Sequence, residues 1–346
     1  MVSVAVVLLA AVAGAPAAPA ASEEVDTCLG CHGDRNLSMT LPSGERLALF
    51  VDAQTFRRSV HGDRLGCVEC HAGMRQVPHP AKPFRTARDV TLAYYEQCKG
   101  CHFDNFTKTL DSVHYQRVAK GDARAPVCSD CHTAHAVAKK NGSRSRISQT
   151  CARCHQPVFA AYAKSVHGRA LLEEGNRDVP VCTDCHRSHD IGDPRTSRFH
   201  LATPELCGSC HTDEQVMEKY GLSTKVVSTY LGDFHGVTAS LQRSGTASGE
   251  RIAAVCTDCH GIHDITRVRE PGSAVMRENL VKVCQRCHAD ATANFPAAWL
   301  GHYEPSWSKA PIVYGVTIFY WIFIPFVIGG LVLQIVLHLW RVVVNR

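Results

Sequence analysis

Every one of the 18 cysteines in this chain lies inside a Cys-x-x-Cys-His pentapeptide. The nine copies join Cys28 with Cys31, Cys67 with Cys70, Cys98 with Cys101, Cys128 with Cys131, Cys151 with Cys154, Cys182 with Cys185, Cys207 with Cys210, Cys256 with Cys259, and Cys284 with Cys287. Each second Cys is followed at once by a histidine: His32, His71, His102, His132, His155, His186, His211, His260 and His288. Two thiols at this spacing add to the two vinyl groups of a porphyrin, and the adjoining imidazole reaches back to the iron. A zinc site would use the same residue types, but nine of nine motifs with no spare Cys argue against it. The expected cofactor is nine covalently bound haem c.

Covalent haem attachment needs reduced thiols and haem to meet outside the cytoplasm, so the chain is expected to be exported. Residues 1–20 read as a signal peptide: Val2 to Ala15 is apolar, and Ala18-Pro19-Ala20 offers small residues for cleavage. The basic start of such a peptide is missing, since no Lys or Arg precedes Arg35. At the other end, the 29 residues from Ile312 to Trp340 carry no charge, more than the roughly 20 needed to cross a bilayer. Residues 311–341 therefore read as a transmembrane helix. Trp299, Tyr303, Trp307, Tyr314 and Trp340 stand as interfacial anchors, and residues 342–346 as a cytoplasmic tail. Arg341 and Arg346 on that side leave the rest of the chain on the periplasmic face of an inner membrane.

Between these ends, residues 21–310 repeat. One kind of motif follows a polar or helical lead, as in Tyr95-Glu96-Gln97-Cys98. The other follows a short element built on a lone histidine: Ser59-Val60-His61-Gly62, Ser112-Val113-His114, Ser165-Val166-His167-Gly168 and Asp233-Phe234-His235-Gly236. Three of the second kind extend to Cys-His-x-x-His, ending at His135, His189 and His263. The result is four two-haem units and a final half-unit, whose lone histidine is His302.

The second axial ligand decides whether a haem carries electrons or binds substrate. Nine further histidines recur in the repeat: His61, His79, His114, His135, His167, His189, His235, His263 and His302. Nine irons then have nine candidate partners. In Cys-His-x-x-His the two rings are one short helical turn apart. The second can hardly reach the far face of the first one's haem, so His135, His189 and His263 are expected to serve neighbouring haems. The first unit departs from the pattern. Met74 fills the slot held elsewhere by His135, His189 and His263, with His79 five residues on. Either His79 binds through a longer loop, or Met74 takes the iron and raises its potential.

Two histidines lie outside the scheme. His200 has no histidine counterpart in the other units and reads as a solvated or haem-edge residue. His338, near one end of the membrane span, either ligates a haem b shared with a membrane partner or snorkels beside Arg341.

The formal charge is +5. Nine haems add about 18 propionate charges against about one positive charge per ferric centre, so the Lys and Arg excess reads as propionate pairing. Nucleic acid is not an expected partner. With roughly 32 residues per haem there is too little chain for a conventional core. The fold expected is mainly α with much irregular chain and no substantial β-sheet, packed around the haems, plus the C-terminal transmembrane helix.

The Ser-Val-His-Gly element, with Cys-Thr-Asp-Cys-His-x-x-His-Asp at Cys182 to Asp190 and its near repeat at Cys256 to Asp264, resembles the doubled-motif multihaem cytochromes c. That resemblance implies mostly bis-His haems forming a periplasmic wire, docked on a quinol-oxidising cytochrome b-type membrane subunit and on periplasmic redox proteins. Electron relay is therefore the expected function. A multihaem reductase of a small nitrogen or sulfur oxyanion is the alternative, and a structural role in an extracellular haem filament is a third reading. A reductase needs an open iron, and neither Cys-x-x-Cys-Lys nor a haem lacking a distal candidate occurs here. No catalytic residue is nominated.

Overall fold

The computed structural model describes residues 21–62, 64–80, 82–138, 143–245, 253–298, 302 and 304–345. The expected signal peptide at 1–20, Trp299 and Tyr303 lie outside this set. Helix makes up 54% of the structure, as the fold class expected from the sequence requires. The one sheet among the described residues is an antiparallel ribbon, Ser38–Thr40 against Arg46–Ala48.

The chain divides into two compact units. One holds the described residues up to His155 together with Val181–Asp193, and the other holds Gln156–Pro180 and the residues from Pro194 onward. The first unit carries six of the pentapeptides and the second three.

The two kinds of motif have different local structure. Motifs of the first kind sit at the end of a longer element: the helices Ala21–His32, Arg144–Ala152, Thr203–His211 and Arg277–Cys284, and the 3-10 turn Tyr95–Gly100. The last three of the second kind are five-residue helices that begin on the first Cys: Cys128–His132, Cys182–His186 and Cys256–His260. Their start is set by the Asp inside the pentapeptide. Asp130, Asp184 and Asp258 each accept a hydrogen bond from the backbone N–H of the Val before the motif, at 2.7, 2.8 and 2.7 Å. These carboxylates satisfy a donor that a helix start leaves open, and they place negative charge at its positive end.

The residue after each of these helices turns the chain sharply. Thr133 (φ 62°, ψ 155°), Arg187 (φ 63°, ψ −173°) and Gly261 (φ 80°, ψ −178°) share a backbone region that essentially only glycine occupies without strain. That turn carries His135, His189 and His263 away from the histidine three residues earlier. Gly261 adopts the turn without a Cβ, whereas Thr133 and Arg187 store strain of about 1–3 kcal/mol each. Thr133→Gly is accordingly expected to stabilise the protein by about 1 kcal/mol, seen as a higher midpoint in thermal unfolding.

Little of the chain is core in the usual sense. Among the described residues only 16 hydrophobic side chains are buried, and most are Val or Ala. The cluster in the second unit is Ala239, Ala253 and Val255, with Leu201 against it.

The C-terminal helix Pro311–Val344 has 34 residues, mean hydropathy 2.3 over its most apolar window and no burial against the rest of the protein. It is long and apolar enough to cross a membrane. The sequence placed its end at 341, and the helix continues three residues further, because Val342, Val343 and Val344 can extend it. At about 1.5 Å per residue it is about 50 Å long, against a hydrocarbon thickness of about 30 Å, so in a bilayer it would tilt or project.

Candidate haem-binding sites

Eight of the motif histidines face a second imidazole within their own unit. In the first unit the pairs are His32–His79, His71–His135, His61–His102, His114–His155 and His132–His189, with ring centres 6.2, 5.9, 6.1, 6.2 and 6.0 Å apart. In the second unit they are His167–His211, His235–His288 and His260–His302, at 6.3, 6.2 and 6.1 Å. Interacting aromatic rings span centre separations of about 4.5–7 Å, and these pairs cluster narrowly within that range. Two metal–imidazole bonds of about 2.0–2.1 Å, plus the reach from ring centre to nitrogen on each side, make a gap of about 6.3 Å. The residues therefore fit an iron held between two imidazoles.

The pairing follows a rule. A lone histidine from one repeat faces the first motif of the next: His61 meets His102, His114 meets His155, His167 meets His211, and His235 meets His288. The Cys-His-x-x-His histidines reach back instead, so that His135 meets His71 and His189 meets His132. His302 of the half-unit does the same with His260. Both movements are tied together by backbone. Val60, Val113 and Val166, each just before a lone histidine, donate to the carbonyls of Val137, Ile191 and Ile265, each two residues after a Cys-His-x-x-His ending.

In the first unit of the repeat, the ring that faces His71 is His135. His79 stacks across from His32 at an interplanar angle of 16°. His186 closes the helix Cys182–His186. His263 lines a cleft of about 540 Å³ with Pro157, Val158, Ala161 and Arg286.

The attachment thiols also lie close to one another. The thiols lie side by side in pairs, Cys28 with Cys67, Cys98 with Cys128, Cys151 with Cys182, and Cys207 with Cys256. These are the first cysteines of the two motifs in each of the four expected pairs. Between these pairs, Cys98 and Cys101 lie within electrostatic reach of Cys70, Cys154 of Cys131, and Cys284 of Cys259. Within each compact unit the attachment sites thus succeed one another in chain order.

Local chemistry favours the neutral form of ten of these imidazoles, the form that metal binding requires. Burial first, and the facing ring second, bring His71 and His167 down to about 4. Burial also lowers His61, His114, His135, His189, His211, His260, His263 and His302. His32 Nδ1 lies 2.8 Å from the Leu49 carbonyl oxygen, so an N–H there donates to it and leaves Nε2 for a metal.

In its last three copies the lone-histidine element is a helix start, and at Ser59 it is a capped turn after the helix Ala53–Arg58. Ser112 and Ser165 are buried N-caps that accept from the N–H groups of Tyr115 and Gly168 at 3.1 and 3.0 Å, and Asp233 accepts from Gly236 at 2.9 Å. Ser59 accepts from Gly62 at 3.2 Å. The cap fixes the first turn, and the histidine stands at its second position. Gly168 is required by close approach, since a Cβ there would collide with the Tyr162 carbonyl oxygen. Tyr162 and Tyr230 then fasten these elements to the next motif, donating from their hydroxyls to the carbonyls of Pro180 and Ala254 at 2.7 and 2.9 Å.

Sequence reasoning missed the partners of the pentapeptide aspartates. Arg88 pairs with Asp130 at 2.8 Å, Arg144 pairs with Asp184, and His200 Nε2 lies 2.9 Å from Asp258. His200 is therefore not a solvated outlier. It is half-buried and holds the position that arginine fills in the two preceding repeats. The recurring Asp in Cys-x-Asp-Cys-His was the available signal, but its partners lie 58, 42 and 40 residues away and at unequal spacing.

Residues 122–212 match the family model described as cytochrome c3. That segment spans about a quarter of the chain and includes four of the nine motifs. No curated protein and no solved structure matches the chain. The match makes this segment similar to a multihaem cytochrome, a class that carries covalently bound haem c and transfers electrons.

Proposed function

We propose that the chain is a membrane-anchored nonahaem c-type cytochrome that relays electrons between a quinol-linked membrane partner and periplasmic or extracellular acceptors. The observation that carries this reading is the set of imidazole pairs, each spaced for one iron with both axial positions filled. An iron closed on both sides changes oxidation state without taking up substrate, which suits relay and not reduction of a small oxyanion. His263 keeps the register of the Cys-His-x-x-His series and is assigned as the ninth distal ligand. His79 is assigned to the iron at His32, so Met74 is not a ligand.

The chain's own residues account for the rest. The Cys pairs anchor each porphyrin through thioethers, the Ser and Asp caps aim the distal rings, and the pentapeptide aspartates hold the short helices in place. Haem c, when bound, supplies a one-electron couple at each site. The thiol contacts within each repeat draw successive porphyrin edges together, which short-range electron transfer requires. Helix Pro311–Val344 is the anchor, and His338 within it is assigned as an axial ligand to a haem b shared with the partner.

Purification in mild detergent tests this. The expected result is nine haem c per chain, all low-spin in the oxidised form, together with a copurifying membrane subunit whose acid-extractable haem b is lost in His338→Ala. Reduction by a quinol analogue is expected only with that subunit present. A high-spin haem in the purified protein would overturn the relay reading in favour of a reductase. A chain that purifies alone and resists quinol reduction with membranes added back would overturn the quinol link.

A further inference from the structure

The first repeat lacks the Cys-His-x-x-His ending, and the chain after its second motif takes a different course. Thr133, Arg187 and Gly261 turn directly after the motif histidine, whereas here the left-handed residue is Gly73, two places after His71, at φ 86°. The Met74 N–H returns to the His71 carbonyl at 3.1 Å. Within this turn the Ala72 carbonyl accepts from Lys82 Nζ at 3.3 Å. The same ammonium donates to the Tyr94 hydroxyl at 3.0 Å and stands 4.9 Å from the centre of that ring. Tyr94 in turn packs on His71 itself, with ring centres 4.7 Å apart at an angle of 57°.

The arrangement is held from several sides. Tyr94 closes the helix Ala87–Tyr94, which begins on a Thr86–Asp89 capping box, and Phe84 meets its ring edge-on at 6.1 Å. Pro83 restricts the backbone of Lys82, the residue before it. The acceptors of the ammonium are neutral, and no ion pair among the described residues includes Lys82. Its charge is therefore anchored beside an iron ligand without a carboxylate to cancel it. Packing an aromatic ring on a motif histidine does not itself require a cation. Phe295 meets His288 at 5.1 Å, and among the described residues no cation stands over that ring. A fixed positive charge near an iron disfavours the ferric state, the more positive of the two, and so favours the ferrous state.

We propose that Lys82, held against the Ala72 carbonyl and the Tyr94 ring beside His71, raises the reduction potential of the haem attached at Cys67 and Cys70. Tyr94 is the positioning residue that keeps the ammonium there. One haem of the first unit is thereby easier to reduce than its two imidazoles alone would make it, and electrons passing along the sites dwell on it. The inference rests on the bis-imidazole reading of His71 and His135.

The test is a spectroelectrochemical titration of the full chain in detergent, wild type against Lys82→Met and Lys82→Arg. Methionine keeps the length of the side chain and removes the charge, and arginine keeps the charge. For Lys82→Met one haem equivalent is expected to move downward by a three- to tenfold change in its equilibrium constant, about 30–60 mV for one electron. Every haem should stay low-spin, and the shift should shrink as ionic strength rises. Lys82→Arg is expected to stay at the wild-type value. Tyr94→Phe, which keeps the ring and loses the acceptor, is expected to fall by less than Lys82→Met. Added to His135→Ala, Lys82→Met should move the carbon monoxide-binding haem, which identifies the site. Low-spin Lys82→Met with an unshifted curve, or Lys82→Arg falling as far as Lys82→Met, would overturn the proposal while leaving bis-imidazole ligation intact. A high-spin, carbon monoxide-binding haem already present in the wild type would instead fail the ligation reading, and this proposal with it.

Discussion

Replacing His135 by alanine is expected to convert one haem of the nine from low-spin to high-spin and open it to carbon monoxide. The affected haem is the one attached at Cys67 and Cys70, although His135 lies in the next repeat. The ring of His135 is 5.9 Å from that of His71 and nearly parallel to it, at 21°. Its position is fixed twice over, by the turn at Thr133 and by the Val60 N–H donating to the Val137 carbonyl at 3.0 Å. No other imidazole faces His71 among the described residues, so the vacated position has no substitute. Carbon monoxide binding is expected to rise from none to about one equivalent per chain. His200→Ala is the control, because that ring pairs with Asp258 and not with another imidazole, and its spectrum should stay fully low-spin.

Acid should reach the same end point by another route. His71 and His167 have folded pKa values held down to about 4, below the ordinary value of 6.5. The unfolded or dissociated state therefore binds protons first as pH falls. Their contribution is complete above about pH 6.5, diminishes below it, and is lost as the pH passes through about 4. Iron ligation, which competes with the proton for the same nitrogen, moves the loss to still lower pH.

How far these sites were legible in the sequence depended on whether partner and motif repeat together. The pentapeptides and the lone histidines recur in step, and so the helical class could be read, together with which histidines to look for as facing pairs. The expectation that a Cys-His-x-x-His ending serves a neighbour rested on the short reach between two rings. The left-handed turn at Thr133, Arg187 and Gly261 is how the chain achieves it, and nothing in the residues Thr or Arg announces such a turn. The choice between Met74 and His79 needed three dimensions, because the ring that His79 faces, His32, lies 47 residues earlier. Of the two readings of His200, the solvated one fails, and its pairing with Asp258 was hidden because its counterparts are arginines: the partner for Asp recurs between repeats while the residue type changes. The C-terminal helix runs three residues past the end read for the span, since a charge at Arg341 stops a hydrophobic run without stopping a helix.

Blocking haem attachment is expected to unfold both compact units while sparing the C-terminal helix. A conventional domain excludes water with its own apolar side chains, and here the buried ones are few and small. Val25, Val181 and Val255 are the largest fully buried apolar side chains, each within three residues of an attachment cysteine. Meanwhile Phe103, Phe234 and Ile262 are exposed by 64, 82 and 62% beside His102, His235 and His263. Apolar side chains arranged in this way have their packing partner in the porphyrin, and without it their surface stays in water. The helices between sites are also too short to persist alone: five residues at Cys128–His132, Cys182–His186 and Cys256–His260 lie far below the roughly 12–15 needed in water. Chain expressed without haem attachment should therefore lose most far-ultraviolet circular dichroism from residues 21–310 and be cut by protease throughout that region. The segment 311–344 should remain protected in detergent or lipid, because its backbone hydrogen bonds are internal and its stability comes from the bilayer. Retention of native-like dichroism and protease resistance by haem-free chain would show that the polypeptide supplies a core of its own. The six sites of the first unit and the three of the second would then be additions to a fold and not its foundation.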